Sequence, residues 1–222
     1  MRANKFIAQG TGLSRRAADK AIQDGRVIIN GQTAGLGAAI LEKDIVTLDG
    51  RQITANIKPV TIMFNKPPGY VVSRDGQGHE TIYDILPPEY HQLKPVGRLD
   101  KYSSGLLLLT NNGQLAFDLT HPSKHKNKVY EVTLNNSLSS QDRQIISNRG
   151  VQLEDGPSKL PLVKMNQTNT VWRVTMHEGR NRQIRRTFAA LGYHVTGLHR
   201  TMFGEYNLDG LPSREWQIVN RP

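Results

Sequence analysis

One carboxylate in this chain lies where a loop enters a segment with the character of a buried strand. The loop residues Gly97, Arg98, Leu99 and Asp100 precede an apolar run at 105–109, which an Asn-Asn-Gly turn closes. A loop that leads into a core strand exposes its side chains while the scaffold fixes their positions. Asp100 is therefore well placed for nucleophilic or acid–base chemistry, and capping of a turn is the alternative.

A second chemically rich segment is predicted to be helical. Over residues 181–191, Ile184, Phe188 and Leu191 share one apolar face, and Gly192 ends the helix. Arg185 lies at the edge of that face, where it can turn inward and pair with a partly buried carboxylate.

Other cations of this half of the chain are predicted to meet phosphate. On the same helical projection, Arg182 and Arg186 face away from the apolar stripe. Guanidinium and ammonium groups both bind phosphate, and a solvated basic surface is the alternative. The candidate phosphate contacts here are Lys128, Arg180, Arg182 and Arg186.

Composition narrows the class of protein. The 222 residues carry 29 Lys and Arg against 19 Asp and Glu, a formal charge of +10, which favours a polyanionic partner such as nucleic acid. The chain has no cysteine, which excludes disulfides and thiolate metal sites and fits a reducing compartment. Its first residues lack a signal-peptide core and no apolar run reaches about 18 residues, so we expect a cytoplasmic protein without membrane contact.

Residues 1–56 are predicted to form a small domain of two short helices and a hairpin. Ser14 is a suitable N-cap for the second helix, and Asn30-Gly31 marks a turn after the strand-like residues 26–29. Residues 1–30 carry six cations against two acids, and such density suits a phosphate backbone. The candidate RNA-binding residues of this domain are Arg2, Lys5, Arg15, Arg16, Lys20 and Arg26.

Residues 57–222 are predicted to form a second domain that mixes strands and helices. Strand patterns occur at 60–64, 128–134, 160–165 and 170–176. Within 128–134, alternation places Tyr130, Val132 and Leu134 on one face, so Tyr130 faces the core or a pocket in it. The predicted fold class is α+β, with a mixed, largely antiparallel sheet and flanking helices.

Several separated motifs together resemble a known family. The motifs at 13–31 resemble the S-four RNA-binding domain, and those at 97–111, 128–130 and 178–186 resemble the bacterial rRNA pseudouridine synthase family of the RsuA type. The resemblance covers nearly the whole chain. It departs from the usual pattern at Tyr102, where the family commonly has Asn or Asp, and at Asn112, where Asp is frequent.

The resemblance implies roles for individual residues. Asp100 corresponds to the catalytic aspartate, Tyr130 to the tyrosine that stacks on the target uracil, and Arg185 to the basic residue that pairs with the aspartate. Arg98 corresponds to the arginine that helps to hold the flipped-out nucleotide. The family needs no cofactor and no metal.

These observations predict a monomeric enzyme that isomerises a uridine in ribosomal RNA, either naked or in an assembling subunit. Segments 119–123 and 153–157 resemble large-subunit members of the family more than small-subunit members, which favours large-subunit RNA. The alternative is a non-catalytic RNA-binding or ribosome-assembly protein on the same fold. A methyltransferase or nuclease is a weaker rival, because the sequence shows neither a glycine-rich methyl-donor loop nor an acidic metal cluster.

Overall fold

A computed structural model describes residues 1–54 and 58–219. The chain divides into two compact units, Met1–Pro59 and Val60–Pro222. The domain boundary predicted between residues 56 and 57 falls outside the described residues.

The first unit packs two helices on a small sheet. Its elements are α1 (Ala3–Thr11), α2 (Arg15–Gln23), β1 (Val27–Ile29), β2 (Gln32–Thr33), β3 (Val46–Leu48) and β4 (Arg51–Gln52). The Ser14 hydroxyl accepts a hydrogen bond from the Ala17 amide at 3.0 Å and so caps α2 as predicted. β1 pairs antiparallel with β3, and β2 and β4 extend the sheet into the order β2-β1-β3-β4. Two-residue strands carry no alternation, so the sequence did not reveal them.

The second unit is built on one large sheet. Its strands are β5 (Thr61–Lys66), β6 (Lys94–Pro95), β7 (Ser104–Thr110), β8 (Lys128–Leu134), β9 (Val151–Leu153), β10 (Gly156–Ser158), β11 (Leu162–Lys164), β12 (Val171–Met176), β13 (Val195–Phe203), β14 (Tyr206–Asn207) and β15 (Trp216–Ile218). Its helices are α3 (Gly113–Thr120), α4 (Ser140–Gln144), which continues as a π-helix over Ile145–Arg149, and α5 (Gln183–Ala189). Short 3-10 helices span Ile82–Asp84, Pro88–Tyr90 and Pro122–Lys124. None of the helices in residues 1–54 and 58–219 has the length and apolar character needed to cross a bilayer.

The main sheet is mixed, which confirms the predicted fold class. Its central order is β11-β12-β8-β13-β7-β5-β15, with β6 on β7 and β14 on β13, while β9 and β10 form a separate hairpin. Every described strand pair is antiparallel except β13 with β7. β8 has the predicted bounds and burial pattern, and β7 includes the predicted buried run.

The central strand β13 was not predicted from the sequence. Its pairing with β8 shifts register between Val195 and Gly197 and again between Arg200 and Met202. Each irregularity resets which side chains face the core, so the two-residue period that marks a strand is lost.

The sheet separates two apolar layers and brings β7 close to β13. Leu107, Val132 and Phe188 belong to one layer, whereas Leu106 and Phe203 belong to the other. Gly105 has φ +102°, and a Cβ there would lie 2.2 Å from the carbonyl oxygen of Arg200. Only glycine fits this contact, which ties the strand after Asp100 to the centre of the sheet.

Candidate active site

A cleft of about 860 Å³ opens on the second unit, next to the carboxylate that the sequence singled out. Asp100, Arg98 and Tyr130 all line it, although they come from a loop and from β8. With Lys128, Arg180 and Arg182, six of the predicted site residues line this one cavity. Of the charged side chains described along this cleft, seven are Lys or Arg and two are carboxylates. The cleft therefore favours binding of an anionic ligand.

A buried lysine holds the loop that carries Asp100 by hydrogen bonds to its backbone. Lys66, at the end of β5, has no exposed surface, and its ammonium donates to the carbonyl oxygens of Pro67 at 2.9 Å and Ser103 at 2.8 Å. It also reaches those of Asp100 at 3.4 Å and Lys101 at 3.3 Å. Burial lowers the pKa of Lys66 to about 8, and the charge of Asp100 opposes that shift.

The arginine nearest to the Asp100 carboxylate is Arg182. Its Nη1 lies 3.7 Å from Asp100 Oδ2. The helical projection wrongly turned Arg182 away, because α5 begins only at Gln183 and Arg182 itself has φ +47°. A residue outside the helix does not follow the helix's angular period.

Arg185 is half-buried, but it does not form the predicted direct ion pair with Asp100. Its Nη1 donates to the Val195 carbonyl oxygen at 2.8 Å, and its Nη2 donates to that of Tyr102 at 3.2 Å. Burial and the charge of Arg182 lower the pKa of Arg185, while Asp100 opposes the change. Arg185 thus joins β13 to the Asp100 loop and acts on the carboxylate only through space.

Tyr130 lies on the predicted face of β8. It is 8% exposed and packs in the core layer with Val132 and Trp172, while part of it lines the cleft. In the sheet it pairs with Val174 on β12 and Arg200 on β13. A ring held this way offers a fixed surface for stacking.

Arg98 and Arg180, which also line the cleft, differ in the hydrogen bonds and ion pairs that they form with the protein. Arg98 is exposed, and the described chain offers it no hydrogen bond or ion pair. Arg180 donates to the carbonyl oxygens of Gly156 and Pro157 and to the carboxylates of Asp155 and Glu178. Its guanidinium therefore anchors the β9–β10 turn, which differs from the free phosphate contact that we expected.

Arg186 is also engaged by the protein. Its guanidinium forms a two-point contact with Asp155, at 3.1 and 2.7 Å. The hydrogen bond from Arg186, with the charge of Arg180, holds the pKa of the Asp155 carboxyl below its usual value. Neither arginine is available to phosphate without breaking these contacts.

The candidate RNA-binding cations of the first unit fall into two groups. Some are already paired, since Arg26 forms a two-point contact with Asp49, Lys20 pairs with Asp24, and Arg15 donates to Asn4. Arg2, Lys5 and Arg16 form no side-chain hydrogen bond or ion pair with any described residue, and both Arg2 and Arg16 are exposed.

Two residues of the cleft region were missed from the sequence. Lys66 follows five buried residues of β5. A lysine at the end of such a run indicates a structural role, because a buried ammonium needs oxygen acceptors. Arg200 is 2% exposed and lines the cleft, but it lies on β13, which was itself missed.

With this geometry in place, the class of protein can be stated. The family model described as RNA pseudouridylate synthase matches residues 60–190, and the S4 (S-four) domain model matches residues 1–46. The chain belongs to the RNA pseudouridylate synthase family and is an enzyme of that class.

Individual relatives match over nearly their whole length. The chain is 38% identical to the ribosomal small subunit pseudouridine synthase A of Escherichia coli strain K12, over 94% of this chain and 91% of the relative. It is 36% identical to the ribosomal large subunit pseudouridine synthase B of Bacillus subtilis strain 168, over 95% and 88%. A crystal structure of a pseudouridylate synthase superposes with a TM-score of 0.70 at 34% identity, covering 99% of this chain and 96% of the other.

Proposed function

We propose that this protein isomerises a specific uridine of ribosomal RNA to pseudouridine, with Asp100 as the catalytic carboxylate. The observation that carries the proposal is the position of Asp100 on a loop fixed by Lys66, in a basic cleft that Tyr130 also lines. The relatives that match over most of the chain are named for ribosomal RNA, which supports the substrate class. We also propose that the enzyme acts as a monomer in the bacterial cytoplasm.

The reaction needs few functional groups. The bond between ribose carbon 1 and uracil nitrogen 1 breaks, the base turns, and a bond forms to uracil carbon 5. Carbon 5 then loses its proton to solvent and nitrogen 1 takes up a proton, so the product is an isomer of uridine. There is no change in oxidation state. Because the uracil is not released, one carboxylate can serve as nucleophile or base in successive steps, whereas a glycosidase uses two.

The surrounding residues fit distinct parts of this task. In the proposal, Arg182 and Arg185 stabilise negative charge on Asp100, and Tyr130 stacks on the uracil. Removing the target nucleotide from its helix costs a few kcal/mol. Contacts from Arg98 and from the other cations of the cleft offset that cost.

Tritium release tests the proposed function directly. Small-subunit and large-subunit ribosomal RNA, labelled at uracil carbon 5 and prepared without this modification, are incubated with the full chain as naked RNA and as assembling particles. We expect close to one equivalent of tritium from one of the two RNAs. Release from neither RNA in either form contradicts the proposal and favours the non-catalytic RNA-binding alternative.

The same assay addresses subunit preference. Segments 119–123 and 153–157 favour large-subunit RNA, whereas relatives of similar identity carry both names. Within our proposal, large-subunit RNA remains the predicted substrate. Release from small-subunit RNA alone would contradict that choice and leave the chemistry intact.

The first unit is proposed to supply phosphate contacts, and Arg16 is the sharpest test. Arg16 on α2 is exposed and unpaired within the described chain, so Arg16→Ala should weaken binding to ribosomal RNA a few-fold. It should also reduce the slope of log affinity against log salt by about 1, because one counterion-releasing contact is lost. Arg26→Ala is the matched control, since Asp49 already neutralises Arg26. Equal slopes for Arg16→Ala and the unmodified protein would rule out this contact.

A further inference from the structure

Two cations stand side by side on the cleft face of the sheet, where neighbouring strands meet. Lys128 is on β8 and Arg200 is on β13, and both line the cleft that contains Asp100. The register pairs Arg200 with Tyr130, and Lys128 with Phe203. Arg200 therefore lies about 5 Å from Tyr130 across the strands, and Lys128 lies two residues before Tyr130 on the same face of β8.

The charge of Arg200 is buried without an anion. Its Nε donates to the carbonyl oxygen of Leu106 at 2.8 Å, and its guanidinium lies 4.8 Å from the ring centre of Phe203. Its Nη2 is buried and has no hydrogen-bond partner, and the described residues offer the guanidinium no carboxylate. A buried guanidinium left in this state is costly, because desolvation is not matched by an opposite charge.

Lys128 is in a similar position. Among the described residues, its ammonium donates only to the carbonyl oxygens of His177 at 3.1 Å and Glu178 at 3.4 Å. Burial and then the charge of Arg200 lower the pKa of Lys128, while Glu178 opposes the shift. The two cations therefore repel each other at the wall of the cleft.

The nearby carboxylates are already occupied. Glu178 accepts hydrogen bonds from Arg180 and Gln183, and Asp100 lies beside Arg182. An anion that enters from the cleft would relieve the repulsion and meet donors fixed by the sheet. A phosphate group matches both the charge and the several acceptor oxygens that an Arg–Lys pair requires.

We propose that Lys128 and Arg200 bind a phosphodiester group that flanks the target nucleotide. The inference rests on the proposed function only for the identity of that nucleotide. The phosphates of a nucleotide lie within a few ångströms of its nucleoside, and neighbouring strand positions are separated by a similar distance. A nucleoside that stacks on Tyr130 and reaches Asp100 therefore places a flanking phosphate within reach of this pair of cations. The pair then helps to fix the flipped nucleotide by its backbone, independently of the base.

Calorimetric titration of the full chain with four small probes tests the site without requiring turnover. The probes are uridine, uridine 5′-monophosphate, uridine 3′-monophosphate and inorganic phosphate. One of the monophosphates should bind at least about 10-fold more tightly than uridine, as expected for a charge-assisted contact. The tighter monophosphate identifies which flanking phosphate occupies the site.

Variants connect the effect to the two residues. In Lys128→Met and in Arg200→Met, the advantage of the monophosphate should fall to about threefold or less, with the affinity for uridine unchanged. Lys164→Met removes an exposed lysine on β11 outside the cleft and should keep the full advantage. Because Arg200 is buried, its variants are first checked by thermal unfolding, and Arg200→Lys should keep part of the advantage.

A second measurement does not depend on substituting the buried residue Arg200. In the unmodified protein, the tighter monophosphate should raise the pKa of Lys128, followed by NMR of its side chain, while uridine leaves it unchanged. Equal binding of uridine and both monophosphates, or an advantage that survives in Lys128→Met, overturns the inference. Tritium release without phosphate discrimination would refute this site alone, whereas discrimination without tritium release would refute the proposed function and keep the site.

Discussion

Asp100→Asn should abolish tritium release from labelled ribosomal RNA, with a loss of at least about 1,000-fold in rate. The substitution keeps the size of the side chain and removes the charge that the proposed chemistry uses. The loop should keep its shape, because Lys66 and the Ser103 amide bind the backbone carbonyl oxygen of Asp100 rather than its carboxylate. Binding to RNA should therefore change by no more than a few-fold.

The control for this prediction is another surface aspartate. Asp209 is exposed and lies in a turn with φ +39°, a conformation that Asn accepts as readily as Asp. Asp209→Asn should release tritium at the rate of the unmodified protein. Equal release from Asp100→Asn and the unmodified protein would exclude Asp100 as the catalytic group.

Lys66→Met should produce the second-largest loss, about 100-fold in kcat, although Lys66 is a positioning residue that does not touch the substrate. The variant leaves the carbonyl oxygens of Pro67 and Ser103 without their donor. Each unsatisfied buried acceptor costs about 1–3 kcal/mol, so the loop should shift to regain partners. A displacement of about 1 Å at a reacting group is enough for a loss of this size.

The pH dependence separates this role from general damage to the fold. The protonated amine holds the loop, and its pKa is about 8, so kcat should fall as pH rises through about 8. Stability should change in the opposite direction. Between about pH 8 and 10.5, the ordinary pKa of a lysine side chain, the unfolded chain binds more protons than the folded one. The contribution of Lys66 to the free energy of unfolding therefore rises with pH.

The measurements are a kcat profile and urea unfolding at several pH values. Lys66→Met should lack the fall in kcat near pH 8, and relative to that variant the unmodified protein should gain up to about 3 kcal/mol of stability over this range. Lys164→Met is an exposed-lysine control and should show the profile of the unmodified protein. A fall in kcat near pH 8 that persists in Lys66→Met would assign it to another group.

Sequence patterns predicted the structure best where a single strand or helix terminus determines it. The run at 105–109 is apolar throughout and is a buried strand, and the alternation over 128–134 placed Tyr130 on the correct face. Ser14 was identified as an N-cap from its type and position alone. Such local patterns depend on backbone period and on nearby hydrogen bonds, so they can be recognised without the tertiary structure.

Contacts between distant elements could be decided only by the tertiary structure. The sequence determined that the chain is basic and α+β, and it singled out Asp100 as the candidate catalytic group, because charge, periodicity and motif order are properties of the chain itself. The fold decided that Arg182 rather than Arg185 lies beside that carboxylate, because α5 begins one residue later than Arg182. It also placed Arg200 at the cleft and the ammonium of Lys66 against the backbone of the Asp100 loop. The roles of both residues depend on neighbours that only the folded sheet supplies.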